Sequence, residues 1–362
     1  MRSGAEKRKK KRGAFRVFLS VLLIFVVLIL TAAAVYSSYV DKPELPPIPE
    51  KKDPIVTVDP NTGETTKVEE VEKVSGTRKS EDFYTILVVG TDTTSSSTDT
   101  IMLVSYDVTN QKATVMSIPR DTLVSTFGAN RYTRINTIYA AYGRGEAGMD
   151  ALSQTVSELV GFVPDYRVFV GWELVGQMVE ALGGVEFDVP FHMEYDDPTQ
   201  NLHIHIEKGL QTLNGDQAMQ LVRWRKNNLG VSSGGGTGSD LDRLKVQQGF
   251  LKAVLKQTLQ IKNMTRINEM AEIFSSHVTG NLTLQNILWF AKEAIFGGLS
   301  VDNVQFVTMP WSAANPYVYP NQNKLLELIN NHLNPFQTEV TIDKLDLIYF
   351  DEAGEMQSTG KE

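Results

Sequence analysis

"FYTILVVGTDTTSSSTDTIMLVSYDV", residues 83–108, decides how this chain folds. Two apolar runs rich in Val, Ile and Thr flank a polar loop, and each is bounded as a buried strand is. "KATVMSIP" (112–119) repeats the signal and is stopped by Pro119. From residue 135 the period changes. "INTIYAAYGR", "GMDALSQTVSELVG" and "GWELVGQMVEALGG" place apolar residues at helical spacing, as at Leu152, Val156, Leu159 and Val160. "DYRVFVG" and "GVEFDVP" supply strands between and after them. Strands interleaved with helices predict an α/β sheet covered on both faces.

Further along, Leu241, Leu244, Leu251, Val254, Leu255 and Leu259 form a stripe on one long helix, "TLQNILWFAKEAIFG" forms another, and "NVQFVTMP" reads as a late strand. No repeat interrupts this pattern, so residues 81–350 are expected to be one domain, with 351–362 a frayed, flexible tail. Residues 37–80, in which "PELPPIPEKKDP" (43–54) begins a stretch rich in proline, threonine and charge, bury little and read as an extended stalk. Within it, "PIVTVDPNTGETTKVEEV" predicts a hairpin about Pro60 to Gly63.

Residues 15–36 are largely apolar, with Arg16 their only charge, and a helix rising ~1.5 Å per residue over this length reaches the ~30 Å of bilayer hydrocarbon. Residues 1–14 are a basic tail. Basic residues before the segment and Asp41, Glu44 and Glu50 after it predict a single membrane span with a cytoplasmic N-terminus and an extracellular domain. Ala32 to Ala34 would suit a signal peptidase, but the apolar run exceeds a usual signal core, so an uncleaved anchor is expected.

The 362 residues carry a net charge of −8 despite that basic start, which argues against nucleic acid as a partner. With no cysteine, disulfides, thiolate metal sites and cysteine nucleophiles are all excluded. Ser117 and Ser125 lack a nucleophile elbow or a positioned histidine. His203 and His205 would share one strand face and so could bind a metal, though solvated or structural histidines are the plainer reading.

The remaining polar signals gather at element ends. Asp92 and Asp99 flank the loop between the first two strands, where carboxylates suit a hard cation such as Mg²⁺, although Asp, Thr and Ser also simply favour turns. Arg120 and Asp121 follow the third strand, and an arginine fork grips phosphate at two points. "VRWRKNNLGVSSGGGTGSDLDRLKVQQ" (222–248) adds Arg223 and Arg225, which on an extended backbone share a face, then Asp240, Arg243 and Gln247 along the start of the long helix. Four arginines and two carboxylates suit a pyrophosphate. They would act by positioning and electrostatic stabilisation of phosphoryl transfer.

"ILVVGTDTTSSSTDTIMLVSYD", "ATVMSIPRDTLV", "EALGGVEFDVP", "GLQTLNGDQAMQLVRWRK" and "DLDRLKVQQ" together resemble the motif series of the LytR-CpsA-Psr family, in order and in spacing, over residues 83–308. The resemblance implies a three-layer α/β/α sandwich with a central mixed β-sheet on a cell-envelope anchor. It also implies transfer of a glycopolymer, such as teichoic acid or a capsule-like polysaccharide, from polyprenyl pyrophosphate to a peptidoglycan hydroxyl. Asp92 and Asp99 would then hold Mg²⁺, and Arg120, Arg223, Arg225 and Arg243 would contact phosphate, with Asp121, Asp240 and Gln247 completing the substrate site. Asp99 would also accept the proton.

In this sequence Thr94, Ser97, Thr98 and Val246 stand where the family often has Arg or Arg-Ser. That keeps two rivals open: a non-catalytic binding or regulatory protein, and a hydrolase of the same lipid. An apolar tunnel for the lipid is also implied, which Phe250, Leu251, Ile287, Leu288 and Phe290 could line, though ordinary core is the plainer reading of each.

Overall fold

The structure, a computed structural model, describes residues 40–47, 55–58, 65–68, 73–91, 98–126, 132–198, 202–235, 240–260, 266–313, 316–350 and 355–360. The expected membrane span, 15–36, lies outside these. Among the described residues no helix is long and apolar enough to cross a membrane.

The opening stretch forms β1 (Phe83–Thr91) and β2 (Thr98–Asp107), followed by β3 (Lys112–Ile118). With β4 (Tyr166–Gly171), β9 (Val278–Gly280) and β10 (Val304–Thr308) they make a six-stranded mixed sheet of order β9-β4-β1-β2-β3-β10. Two antiparallel pairs, β5 (Val185–Val189) with β8 (Gly209–Leu213) and, as a hairpin between these in the chain, β6 (Met193–Asp197) with β7 (Leu202–Ile206), lie between β4 and β9.

Alternation along the strands assigns the two faces. Leu87, Val89, Ile101, Leu103, Met116 and Ile118 pack on α1 (Ile135–Ala141), α2 (Gly145–Val160) and α8 (Gln322–Leu328). The opposite face meets α5 (Asp240–Thr258) and α7 (Leu284–Phe296), so the sheet is covered on both sides as the sequence predicts. A second core joins α4 (Gly215–Arg223), α5 and α6 (Ile267–His277) to the two strand pairs, while α3 (Trp172–Ala181) packs between α4 and α6.

The boundaries differ from expectation at both ends. Residues 73–80, read as stalk, belong to the domain: Val74 is buried in the main core, and Arg78 pairs with buried Asp165. Residues 40–45 also lie against the sheet, where the Tyr84 and Tyr166 hydroxyls donate to the carbonyls of Pro43 and Glu44. The hairpin expected in the stalk is present, pairing Ile55–Val58 with Thr65–Val68. At the C-terminus, Met356–Ser358 does not fray but pairs antiparallel with Ile348–Phe350, and Ser358 Oγ donates to Asp346.

Gly161 ends α2 in the left-handed region (φ 77°), its N–H donating to Ser157 and its carbonyl accepting from Val74. A Cβ there would stand 2.5 Å from Val340 Cγ1. Gly161→Ala is therefore expected to cost about 2–4 kcal/mol, from the backbone penalty plus overpacking, read as a lower urea midpoint.

Candidate functional site

Strand directions create one chemical edge. β4 runs parallel to β1 and β10 to β3, while β2 runs antiparallel to both β1 and β3. The C-terminal ends of β1, β3, β4 and β10 and the start of β2 therefore share an edge, the usual ligand side of an α/β sheet.

Arg120 leaves β3 at this edge. Thr122 donates from N and Oγ1 to the Pro119 carbonyl at 3.0 and 2.6 Å, closing a turn around Arg120 and Asp121. Asp121 sits between two guanidiniums, with Arg120 Nε 3.7 Å from Oδ2 and Arg134 Nε 3.4 Å from Oδ1. Arg134 also lies over the Tyr317 ring, 5.4 Å from its centroid. In the sequence nothing marks Arg134 beyond its place just before a helix start.

The second arm is α4. Asn214 and Gln217 form a capping box at its start, and Ala218, Leu221 and Val222 bury its inner side. The helix persists through Arg223, so Arg223 and Arg225 are not neighbours on an extended strand as expected. Between them stands Trp224, fully buried, tilted against Phe191 at 5.6 Å and donating from Nε1 to Asn227 Oδ1 at 2.9 Å. The helix ends at this buried indole, whose backbone is extended. Arg223 is half-buried and Arg225 exposed.

The third arm, α5, begins at Asp240 and joins the other two. Gln247 Nε2 donates to the Val222 carbonyl at 2.9 Å, and Gln248 Nε2 donates to Ser117 Oγ at 3.0 Å and to Thr308 Oγ1 and the Val307 carbonyl, both at 3.2 Å. Adjacent side chains of one helix thus hold the residue before Arg223 and the end of β3, three residues from Arg120. Gln247, expected to bind substrate, spends its amide donor on this joint. Arg243, one turn earlier on α5, is only 2% exposed.

Asp99, the second residue of β2, stands two residues before Ile101, which pairs with Ile118 two residues before Arg120, so its backbone stands level with Arg120. Asp92, and the side chains of Asp99 and Asp240, lie outside the described residues. Several buried polar atoms at this edge have no hydrogen-bond partner among the described residues: Thr100 Oγ1, Asn136 Oδ1 and Gln247 Oε1. Buried polar groups are seldom left so, which suits a site completed by a polar ligand.

The sheet's two faces are unequal beneath this edge. Leu87, Val89, Ile101 and Leu103 are at most 1% exposed. Ile86, Val88, Met102 and Val104, which alternate with them towards α5 and α7, are only partly buried, as are Leu251 and Ile287 on those helices. Phe250 is core instead, edge-on to Phe187 at 5.5 Å, whereas Phe290 is itself only partly buried and lies edge-on to Tyr84 at 5.1 Å. Leu288 packs against the second core. At the far end Tyr84, Tyr106, Tyr166, Trp289 and Phe290 form an aromatic floor, where burial pushes the Tyr106 and Tyr166 hydroxyls up to about 12.

Arginines thus gather at the polar edge of a mixed sheet whose face towards α5 and α7 is only partly buried. The chain belongs to the LytR_cpsA_psr family, whose model matches residues 55–340. It is 28% identical over 232 residues to the polyisoprenyl-teichoic acid--peptidoglycan teichoic acid transferase TagV of Bacillus subtilis, covering 63% of this chain and 55% of that one. It is 27% identical over 267 residues to the regulatory protein MsrR of Staphylococcus aureus, covering 73% and 76%. The match spans about half the length of TagV, and half that of an uncharacterized S. aureus relative that is 27% identical. Among solved structures, B. subtilis TagV superposes with a TM-score of 0.57 at 22% identity, covering 72% of this chain and all of that one. TagT bound to LI-WTA gives 0.54 at 22% identity, covering 74% and 96%. These likenesses establish the fold.

Proposed function

We propose that this protein is a membrane-anchored phosphotransferase that moves a glycopolymer from polyprenyl pyrophosphate to a peptidoglycan hydroxyl. The observation that carries this reading is the pairing of an arginine-bearing edge with a partly open apolar face on one side of one sheet. The face would take the polyprenyl tail and the edge its pyrophosphate. Residues 15–36 would hold the protein in the membrane with its domain outside, so that headgroup and peptidoglycan meet at the same surface.

In the reaction, the hydroxyl oxygen of a peptidoglycan sugar forms a bond to the glycan-linked phosphorus. The bond from that phosphorus to the bridging oxygen breaks, and polyprenyl phosphate leaves. Asp99 accepts the hydroxyl proton, since the motifs contain no histidine. Arg120, Arg223, Arg225 and Arg243 stabilise charge on the phosphoryl and bridging oxygens, and Asp121 orients Arg120. Asp92 and Asp99 offer the oxygen donors that suit Mg²⁺, which when bound neutralises pyrophosphate charge. Asp240 and Gln247 border the headgroup.

The likeness to MsrR, named as a regulatory protein, favours one second reading: a protein that holds the same lipid without turning it over. Full-length protein in detergent, given Mg²⁺, a polyprenyl-pyrophosphate glycan and peptidoglycan oligomers, separates the two. Mass spectrometry is expected to find the glycan–peptidoglycan phosphodiester with the wild type and none with Asp99→Ala. Product that persists in Asp99→Ala removes the mechanism. Binding without product supports the regulatory reading, and polyprenyl phosphate released with no linked product means that water is the acceptor.

A further inference from the structure

Away from that edge, the β6–β7 ribbon carries a second set of chemistry-bearing side chains. Alternation sends Ile204 and Ile206 of β7, with Met193 of β6, into the second core, and leaves the other side of the ribbon to solvent. On that side the antiparallel register sets Asp196 opposite His203 and Glu194 opposite His205. His192 Nδ1, just before the start of β6, lies 3.1 Å from Glu207. Three of the chain's five histidines thus face carboxylates across one ribbon.

At one point the groups converge. His203 Nδ1 and His205 Nε2 lie 2.5 and 3.4 Å from Asp196 Oδ1, and one ligand atom from each of the three residues lies within 4.8 Å of the others. The second nitrogen of His205 is already engaged, with Nδ1 2.9 Å from Glu194 Oε1.

We propose that Asp196, His203 and His205 bind a divalent first-row transition ion, Zn²⁺ fitting best, with Glu194 orienting His205 from behind. Two ligands of a tetrahedral shell with bonds of ~2.0–2.1 Å stand roughly 3.3 Å apart, which is nearly the observed separation of His205 Nε2 and Asp196 Oδ1. His203 has only to open by about 1 Å from Asp196 as a metal replaces the shared proton. A carboxylate on the far nitrogen of a ligating histidine fixes its tautomer and orientation, the place Glu194 occupies. Imidazole nitrogens select Zn²⁺ over Mg²⁺, so this is a different chemistry from the carboxylates near Asp99.

The scaffold holds these groups in place. Behind them the ribbon is packed into the core, and the segment following Arg225 is fastened along β6. Asn227 Oδ1 accepts from Glu194 N at 2.9 Å, and Asn228 Oδ1 accepts from Asp196 N at 2.7 Å. An ion on Asp196 and both histidines would therefore brace the strand to which the arginine-bearing segment is tied. The inference stands on this cluster alone and does not require the transfer reaction.

Full-length protein purified without a histidine tag, stripped with EDTA and titrated calorimetrically with Zn²⁺, is expected to bind one tight equivalent and to give a tetrahedral d–d spectrum with Co²⁺. His203→Gln, His205→Gln and Asp196→Asn should each weaken that binding more than ~10-fold, with unchanged far-UV circular dichroism, and Glu194→Gln about 10-fold with the stoichiometry kept. Failure of the wild type to bind, or undiminished binding in the His203→Gln/His205→Gln double variant, overturns the proposal and leaves these groups as ordinary exposed ion pairs.

Discussion

Asp165→Ala is expected to destabilise the protein by about 3–5 kcal/mol, the cost of breaking a buried ion pair and leaving its partner uncompensated. Asp165 is 4% exposed, yet its carboxylate is fully engaged. It accepts from Arg78 Nη1 and Nη2 at 2.8 and 2.9 Å, and from Thr85 N and Oγ1 at 2.8 Å each. Removing it orphans a guanidinium that also donates to the Phe83 carbonyl and lies over the Phe336 ring, together with a strand N–H and a buried hydroxyl. The cost falls on the joint between the segment entering the domain and the start of β1. Urea unfolding should show a lower midpoint at unchanged slope. The double variant Arg78→Met/Asp165→Ala should cost less than the sum of the singles, because it leaves no uncompensated charge. A loss below about 1 kcal/mol in Asp165→Ala would mean that water satisfies the orphaned groups and that the pair does not hold the segment.

Arg78 also shows where reading the sequence stops. It sits in a polar, proline-poor continuation of what composition marks as stalk, and its partner is 87 positions away. No local pattern encodes such a pair. Five of the six strands of the central sheet were legible because buried β-structure writes itself in short β-branched runs, and α1, α2, α3, α5 and α7 were legible from helical spacing, whereas the three-residue edge strand β9 was not. The inequality of the sheet's faces was not: Val88 and Val89 are the same residue in the same run, and only the layers above them decide that one is sealed and its neighbour half-open. Pairing at the C-terminal end was missed for a related reason, since "MQS" becomes a strand only because the edge at Ile348 is there to receive it. At the candidate site, Arg120 and Asp121 announced themselves by following a strand that ends in proline. Arg134 reaches Asp121 only through tertiary packing. His203 and His205 were visibly on one face, whereas the carboxylates facing them required the register of a neighbouring strand.

The same limit separates two arginines that look equivalent in "VRWRK". If the edge binds a pyrophosphate, Arg223→Ala should lower kcat/KM by ~10²-fold, whereas Arg225→Ala should lower it less than ~10-fold and mostly at low salt. Arg223 is the last residue of α4, half-buried, and its predecessor is tied to α5 by Gln247, so its side chain starts from a fixed base where charge is poorly screened. Arg225 lies past the buried Trp224 and is exposed, with water competing for its guanidinium. A charge-assisted contact made from a rigid, partly dry position is worth ~1.5–3 kcal/mol, and one made from an exposed position only a fraction of that. Trp224→Ala provides the control on this logic. It removes the anchor that sets the two arginines apart, so it should reduce activity through Arg223 without touching any charge, and raising the salt should not deepen its defect. Equal losses for Arg223→Ala and Arg225→Ala at physiological salt would show that the buried indole does not rank them, and that the segment reorganises when the headgroup binds.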